Sequence, residues 1–133
     1  MTTVLAFGAF DGLHEGHAHF LGEASALGDR LIVALATDDA IRSLKRHEPR
    51  YTFEERRGSL RLLPTIDDIV ASDASGNFSV IDDVHPDMIA IGYDQGELDA
   101  ALKVWMTLNR QVPVMYIKSH EPERFKSSLI LMV

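Results

Sequence analysis

Short runs of consecutive apolar residues recur along this sequence, and between them apolar residues recur at steps of three and four. A continuous apolar run is typical of a parallel β-strand covered on both faces, whereas steps of three and four mark one face of a helix. The runs predict five strands, over residues 4–7, 31–36, 68–71, 88–91 and 114–117.

The segments between the strands predict helices, several of which begin at recognisable caps. Thr52 and Glu55 match a capping box, which opens a helix that runs through Leu63 and stops near Pro64. Gly28 is placed to end the first helix in a left-handed conformation. The remaining helices are expected over residues 18–27, 40–45, 97–110 and 129–133, with a short helical turn over 78–84 and loops over 72–77 and 118–126.

Strands that alternate with helices predict an α/β fold, specifically a Rossmann-like, doubly wound, parallel five-stranded sheet with helices on both faces. Residues 1–133 contain no internal repeat or linker, which predicts a single domain. Ligands of such sheets bind beyond the carboxyl ends of the strands, where the strand order reverses. We therefore expect the ends of the first and fourth strands to be adjacent and to form one site.

Composition narrows the class of protein. The chain has 133 residues, of which 46% are hydrophobic and 25% are charged, and both fractions are ordinary for a globular domain. Its formal net charge of -7 argues against a general binder of nucleic acid or of an anionic membrane. The absence of cysteine excludes disulfides and thiolate chemistry. No apolar run is long enough to span a bilayer and no signal-peptide pattern is present, so we expect a cytoplasmic protein.

The loop after the first strand contains the candidate chemistry. It includes Gly8, Ala9, Phe10, Asp11 and Gly16, and leads into the first helix. A helix N-terminus binds anions, and glycines allow the backbone to approach a phosphate closely. His14 and His17, three residues apart, can donate hydrogen bonds to phosphate oxygens. This loop is predicted to bind phosphate.

The segment from Gly8 to His17 resembles the HxGH signature of the nucleotidyltransferase superfamily, in its cytidylyltransferase-like branch. The resemblance implies transfer of a nucleotidyl group from a nucleoside triphosphate to a phosphorylated acceptor, with release of pyrophosphate. It implies that His14 and His17 contact the triphosphate and stabilise the transferring phosphoryl group. Asp11 is expected to organise the loop or help to place a metal.

Other segments extend the resemblance. Lys45 occupies the position of the family's phosphate-contacting lysine, and Arg56, or alternatively its neighbour Arg57, that of an arginine that contacts phosphates or holds the loop. Gly92 and Asp94 lie in a segment similar to the family's PDxxxxGxD motif, near the base and the acceptor.

A C-terminal segment completes the resemblance. Lys126, Ser127 and Ser128 resemble the ISTTxI motif that holds the triphosphate tail, although Lys126 replaces its usual first serine. The family's upstream arginine is absent in register, and Arg124 or Lys118 could substitute for it.

The acceptor is less sharply defined than the reaction. The first loop and the segment around Gly92 look most like those of the single-domain archaeal FAD synthases, which adenylylate FMN. The alternatives are a glycerol-3-phosphate or sugar-phosphate cytidylyltransferase and a non-catalytic nucleotide-binding module. Triphosphate chemistry implies Mg²⁺ carried with the nucleotide, and the sequence contains no dedicated metal cage. A homodimer remains an alternative to a monomer.

Overall fold

The computed structural model describes residues 1–72 and 78–118, apart from the side chain of Lys45. Strands and helices alternate through these residues, as the apolar pattern predicts. The elements in chain order are β1 (Thr3–Gly8), α1 (Glu15–Ser25), β2 (Arg30–Ala36), α2 (Asp38–Lys45), α3 (Phe53–Leu60), β3 (Asp68–Ser72), α4 (Ser79–Val84), β4 (Met88–Gly92), α5 (Gly96–Leu108) and β5 (Val114–Ile117). The predicted loop over 73–77 and everything expected after Lys118, including the helix over 129–133, lie outside the described residues.

The five strands form one parallel sheet in the order β3-β2-β1-β4-β5. The chain adds β2 and β3 on one side of β1, then crosses back to add β4 and β5 on the other side. The order therefore reverses between β1 and β4, which pair directly. This arrangement confirms the predicted fold class and places the carboxyl ends of β1 and β4 side by side.

Alternate residues of the strands pack against helices on opposite faces of the sheet. On one face, Leu5, Ile32 and Ile89 join the apolar side chains of α4 and α5 in one buried cluster. On the other face, Val4, Ala6 and Val33 pack with residues of α1 and α3. Trp105 is a core residue of the first cluster, 6% exposed. Two-sided burial explains why the central strands β1, β2 and β4 are almost continuously apolar.

Several helix ends differ from the sequence prediction by one to three residues. Helix α1 begins three residues earlier than expected, because His14 caps it, and it ends at Ser25 with a right-handed C-cap at Ala26. Gly28 is therefore not a left-handed cap; among the glycines of the described segments, only Gly12 has a positive φ. A Cβ at Gly28 would lie 2.7 Å from the carbonyl oxygen of Thr2, so a close backbone approach requires glycine there.

Helix α3 starts at the capping box of Thr52 and Glu55, as predicted, but ends at Leu60 instead of Leu63. In the described segments, no helix has the length and apolar character needed to cross a membrane.

Candidate active site

A cavity of about 600 Å³ opens at the carboxyl ends of β1 and β4, where the strand order reverses. The loop after β1 forms one wall and the turn after β4 forms the opposite wall. The structure thus brings together most of the site residues predicted from the sequence. The predicted residues that line the cavity are Gly8, Ala9, Phe10, Asp11, His14, Gly16, His17, Gly92 and Asp94.

The two histidines cap the helix that they begin. The backbone N–H of Gly16 donates to Nδ1 of His14 (3.0 Å), and the backbone N–H of His14 donates to Nδ1 of His17 (3.2 Å). The two rings stack, with centroids 3.8 Å apart and an angle of 20° between their planes. Because each Nδ1 accepts a hydrogen bond, the ring proton of each neutral imidazole is on Nε2. Both histidines line the cavity, so two nearly parallel imidazoles form part of its wall.

Phe10 supports His17 from behind. Its ring is 6% exposed and packs edge-on against the His17 ring, with centroids 5.1 Å apart. Phe10 has a φ of 47°, a left-handed conformation that is uncommon for a residue with a bulky side chain. This backbone folds the ring back over Gly8, where a Cβ would lie 2.5 Å from Phe10 Cε2. Residues with such uncommon backbone conformations cluster at functional sites.

Two further glycines of the loop are required by the conformation of the loop itself. Gly12 has a φ of 104°, which side chains rarely tolerate. A Cβ at Gly16 would lie 2.9 Å from Cε1 of His14, so glycine leaves room for the imidazole that caps the helix. In this structure, the groups that lie against Gly8 and Gly16 are the rings of Phe10 and His14. The sequence predicted instead that these glycines make room for a phosphate.

Asp11 fastens the loop to the segment that precedes α3. Its carboxylate accepts hydrogen bonds from the backbone N–H groups of Arg50 (2.7 Å) and Tyr51 (2.9 Å). Burial by itself raises the pKa of Asp11, but these hydrogen bonds and the positive charges of Arg56 and Arg50 outweigh it and lower the pKa below its ordinary value. Asp11 therefore organises the loop, one of the two roles expected from the sequence.

Arg56 is a buried hub below the cavity, only 1% exposed. Its guanidinium donates to three carbonyl oxygens, those of Tyr51 (3.1 Å), Ala9 (3.0 Å) and Ala36 (2.7 Å). It also forms an ion pair with the carboxylate of Asp38 (2.7 Å). The guanidinium thus joins the ends of β1 and β2 to the start of α3. In this structure Arg56 therefore fixes the position of the loop that follows β1.

Arg57, the alternative to Arg56, points elsewhere. Its side chain is 31% exposed and pairs with Glu54 within the same helix. It also lies over the Phe53 ring at 5.8 Å. Arg57 does not line the cavity, whereas Arg56 touches the backbone of the loop that does.

The opposite wall of the cavity is the turn from Gly92 to Gln95. A Cβ at Gly92 would lie 2.9 Å from the Asp94 carboxylate, so glycine lets that carboxylate fold against the strand end. Gln95 spans the crevice between the two strands. Its Nε2 donates to the carbonyl oxygen of Phe7 (2.8 Å), and its Oε1 accepts from the backbone N–H of Gly92 (2.9 Å). Gln95 was not predicted as a site residue, because its hydrogen bonds to Phe7 and Gly92 belong to no helix or capping motif that the sequence shows.

A second lobe of about 810 Å³ extends the cavity towards the ends of β2 and β3. The two lobes meet at Phe7, Gly8, Ala9, Ile41, Asp94 and Gln95, which line both. The lining of the second lobe combines apolar and polar side chains, with Phe7 and Phe78 in edge-on contact at 5.8 Å in its wall. Small side chains leave room in it: Ala34, Ala36, Ala40, Ala71 and Ala101.

Several polar residues of the first lobe were not predicted as site residues. Arg50, His47 and His19 line it, as does Lys118, which the sequence offered as a replacement for the missing arginine. Arg50 and His47 come from an irregular loop with no recognisable motif, so only the fold identifies them. Within residues 1–72 and 78–118 the structure contains no cluster of acidic residues and histidines able to hold a metal ion.

Four predicted site positions cannot be placed against the cavity. Lys45 is the last residue of α2, beside the second lobe, but its side chain lies outside the described part of the chain. Lys126, Ser127 and Ser128 also lie outside the described residues.

The fold and this strand-end site define the class of protein. The model of the family described as cytidylyltransferase-like matches residues 5–132, and the chain belongs to that family. A solved structure of the lipopolysaccharide core biosynthesis protein from Thermoplasma volcanium superposes with a TM-score of 0.82 at 31% identity, covering 91% of this chain and 99% of that one. A pantoate-beta-alanine ligase from Francisella tularensis shares the fold, with a TM-score of 0.65 at 9% identity over 90% of this chain and 60% of that one.

Among curated relatives, the FAD synthase of Thermococcus onnurineus is 43% identical over 93 residues, which are 69% of this chain and 62% of the relative. The FAD synthase of Picrophilus torridus is 35% identical over 128 residues, 94% of this chain and 90% of that protein. The chain thus spans slightly less than two thirds of the Thermococcus relative and nearly all of the Picrophilus relative.

Proposed function

We propose that this chain is an FMN adenylyltransferase, which makes FAD from ATP and FMN. An oxygen of the FMN phosphate attacks the α-phosphorus of ATP. The bond from that phosphorus to the oxygen that bridges to the β-phosphate breaks, and pyrophosphate leaves with the electron pair. Such transfers depend on positioning and on stabilisation of negative charge, without a covalent enzyme intermediate.

The observation that carries this proposal is the two-lobed cleft with the stacked histidines at one side. In the first lobe, Nε2–H groups of His14 and His17 are suited to phosphate oxygens on which charge builds during transfer. Arg50 and Lys118 line the same lobe and supply positive charge. The triphosphate therefore fits the first lobe, with Mg²⁺ held mainly by its phosphates.

The second lobe suits a planar, largely apolar acceptor such as a flavin ring. Its alanines and phenylalanines provide apolar surface, and its volume is in the range of small-molecule sites. A polyol or sugar phosphate would leave the apolar surface of these alanines and phenylalanines uncovered. The names of the two archaeal FAD synthases support the same acceptor.

A second candidate acceptor is a sugar phosphate. It is favoured by one observation, the name of the Thermoplasma volcanium protein, whose fold matches over most of both chains. The character of the second lobe favours the flavin over this alternative. We also propose that Lys45, Lys126, Ser127 and Ser128 contact phosphates. A cytoplasmic location and a homodimer are further proposals.

The test is a matrix of ATP and CTP against FMN, glycerol 3-phosphate and sugar phosphates, with Mg²⁺, in which pyrophosphate release is measured and FAD is separated from FMN. We expect FAD from ATP and FMN. His17→Asn should lower kcat by about 10²–10³-fold, because the Nε2–H donor is lost while an oxygen that can cap the helix remains.

His85→Asn is the matched control. His85 caps α4 with a φ of 52°, a left-handed conformation that asparagine also adopts readily, and it lines neither lobe. It should retain turnover within about twofold. Turnover only with CTP and a polyol or sugar phosphate would refute the flavin acceptor. Binding of ATP without turnover on any acceptor would identify a nucleotide-binding module instead.

A further inference from the structure

Among the neighbouring strands of the sheet, β1 and β4 are paired over the fewest residues, and the cleft opens between their ends. β1 and β2 are in register over six residue pairs, from Thr3 with Arg30 to Gly8 with Leu35. β1 and β4 are in register over only three, from Val4 with Met88 to Ala6 with Ala90. Both strands continue beyond this point, to Gly8 and Gly92, without remaining in register with each other. β1 and β4 are thus not paired at their carboxyl ends, where the cavity opens.

The Gln95 amide bridges this gap. It donates to the carbonyl oxygen of Phe7 on the β1 side and accepts from the backbone N–H of Gly92 on the β4 side. An amide has both a donor and an acceptor at its end, so one side chain can satisfy both strands. Glutamine keeps this pair at every pH, whereas a carboxyl group of the same length has a donor only when it is protonated.

Gln95 also occupies a position where another residue type would be expected. It is the N-cap of α5, yet its side chain makes no hydrogen bond to that helix. Asparagine, aspartate, serine and threonine are the preferred caps, because their side chains satisfy the first N–H groups. A local preference that is given up in favour of a tertiary contact indicates a requirement elsewhere in the molecule.

We propose that Gln95 is a positioning residue that fixes the width of the cleft between the ends of β1 and β4. Phe7 leads directly into the histidine loop, and Gly92 leads into the turn of Asp94. Gln95 lines both lobes, so its bridge lies where the nucleotide lobe meets the acceptor lobe. By fixing this width, the bridge sets the distance between the two reactants. This catalytic consequence rests on the proposed function.

Two substitutions separate this role from a general structural one. Gln95→Met keeps the length of the side chain but removes both hydrogen bonds. It should lower kcat about tenfold or more, with a smaller change in KM, because small displacements of bound reactants are costly to the rate.

Gln95→Glu keeps the shape but, when ionised, turns an acceptor towards the Phe7 carbonyl. Once protonated, a carboxyl group again offers one donor and one acceptor. A carboxyl in this half-buried place should titrate above its usual value of about 4.3. The ratio of its kcat to that of the wild type should therefore recover as the pH falls from about 8.5 to 5.5.

The wild type measured over the same pH range corrects for the titratable and charged groups that line the two lobes with Gln95, namely Asp11, His14, His17, His19, His47, Arg50, Asp94, Glu97 and Lys118. Gln111→Glu is the matched control. The Gln111 amide donates to the carbonyl oxygen of Met106 and lines neither lobe, so its kcat ratio should stay constant with pH.

A second readout needs no turnover. Hydrogen exchange of the Gly92 amide should be slow in the wild type and in Gln111→Glu, and faster in Gln95→Met, because Oε1 of Gln95 is its acceptor. Unchanged exchange at Gly92 in Gln95→Met would overturn the bridge, whatever reaction the protein catalyses. Faster exchange with kcat within twofold of the wild type would overturn the positioning role.

If the wild type makes no FAD, the proposed function fails, while exchange at Gly92 still decides whether the bridge exists. The kcat comparison is then made on whichever acceptor the matrix identifies.

Discussion

Replacing Arg56 with methionine removes the guanidinium that ties three parts of the fold together below the cleft. The carbonyl oxygens of Ala9 and Ala36 would each lose a donor at 3.0 and 2.7 Å, respectively. The carboxylate of Asp38 would lose its ion pair. Methionine fills the space of the arginine stem but not that of the guanidinium, so the unsatisfied polar groups are accompanied by a small cavity.

The expected cost follows from how deeply each partner is buried. Breaking a buried ion pair from one side typically costs about 3–5 kcal/mol. The Asp38 side chain is 31% exposed and lies in the first turn of α2, so water and the helix dipole stabilise the abandoned carboxylate in part. We therefore expect Arg56→Met to lower the free energy of unfolding by about 3–4 kcal/mol, a decrease in Tm of about 10–15 °C for a chain of this size.

Urea denaturation followed by circular dichroism measures this difference, with Arg57→Met as the adjacent control. Arg57 pairs with Glu54, whose side chain is 69% exposed, so that substitution should cost about 0.5 kcal/mol. Arg56→Lys, which keeps the charge and some of the donors, should fall between the two and ensures a folded variant. Equal costs for Arg56→Met and Arg57→Met would refute the hub.

Two further predictions concern the loop itself. Because the pKa of Asp11 is lowered in the folded protein, its carboxylate stabilises the fold at pH values above the unfolded value of about 3.9 and ceases to do so as the pH falls through the folded value. Asp11→Asn should therefore cost about 1–2 kcal/mol in urea denaturation at pH 7 and less at pH 3; an equal cost at both would contradict this. Gly16→Val should displace the His14 ring from its cap, costing about 1 kcal/mol of stability and most of the turnover, which an unchanged rate of FAD formation would disprove.

The fold could be predicted from the sequence because its central strands are almost continuous runs of apolar residues. Runs such as 31–36 are apolar throughout and short, which favours a strand buried on both faces. Alternation with helices then leaves few topologies, so the adjacency of β1 and β4 followed from general rules of connection. The helix ends were harder: His14 is not among the usual capping residues, which concealed the start of α1.

The candidate site could be located from the sequence but not fully assigned. The motif around His14 and His17 indicated where the cleft would be, and the structure brings it against Gly92 and Asp94. The burial of Arg56 could not be foreseen, because arginine is rarely buried without several partners, and its partners come from segments distant in sequence. Gln95 was missed for the same reason, since its bridge to Phe7 spans 88 residues.

Gly8 and Gly16 are required because an aromatic ring lies against each of them. Gly8 accommodates the benzyl group of Phe10, and Gly16 accommodates the imidazole of His14. Each glycine and its ring therefore form a coupled pair of positions, in which a change at one member alters what the other tolerates. A smaller side chain at position 10 would relax the requirement at position 8, so the two can diverge together more easily than either can alone.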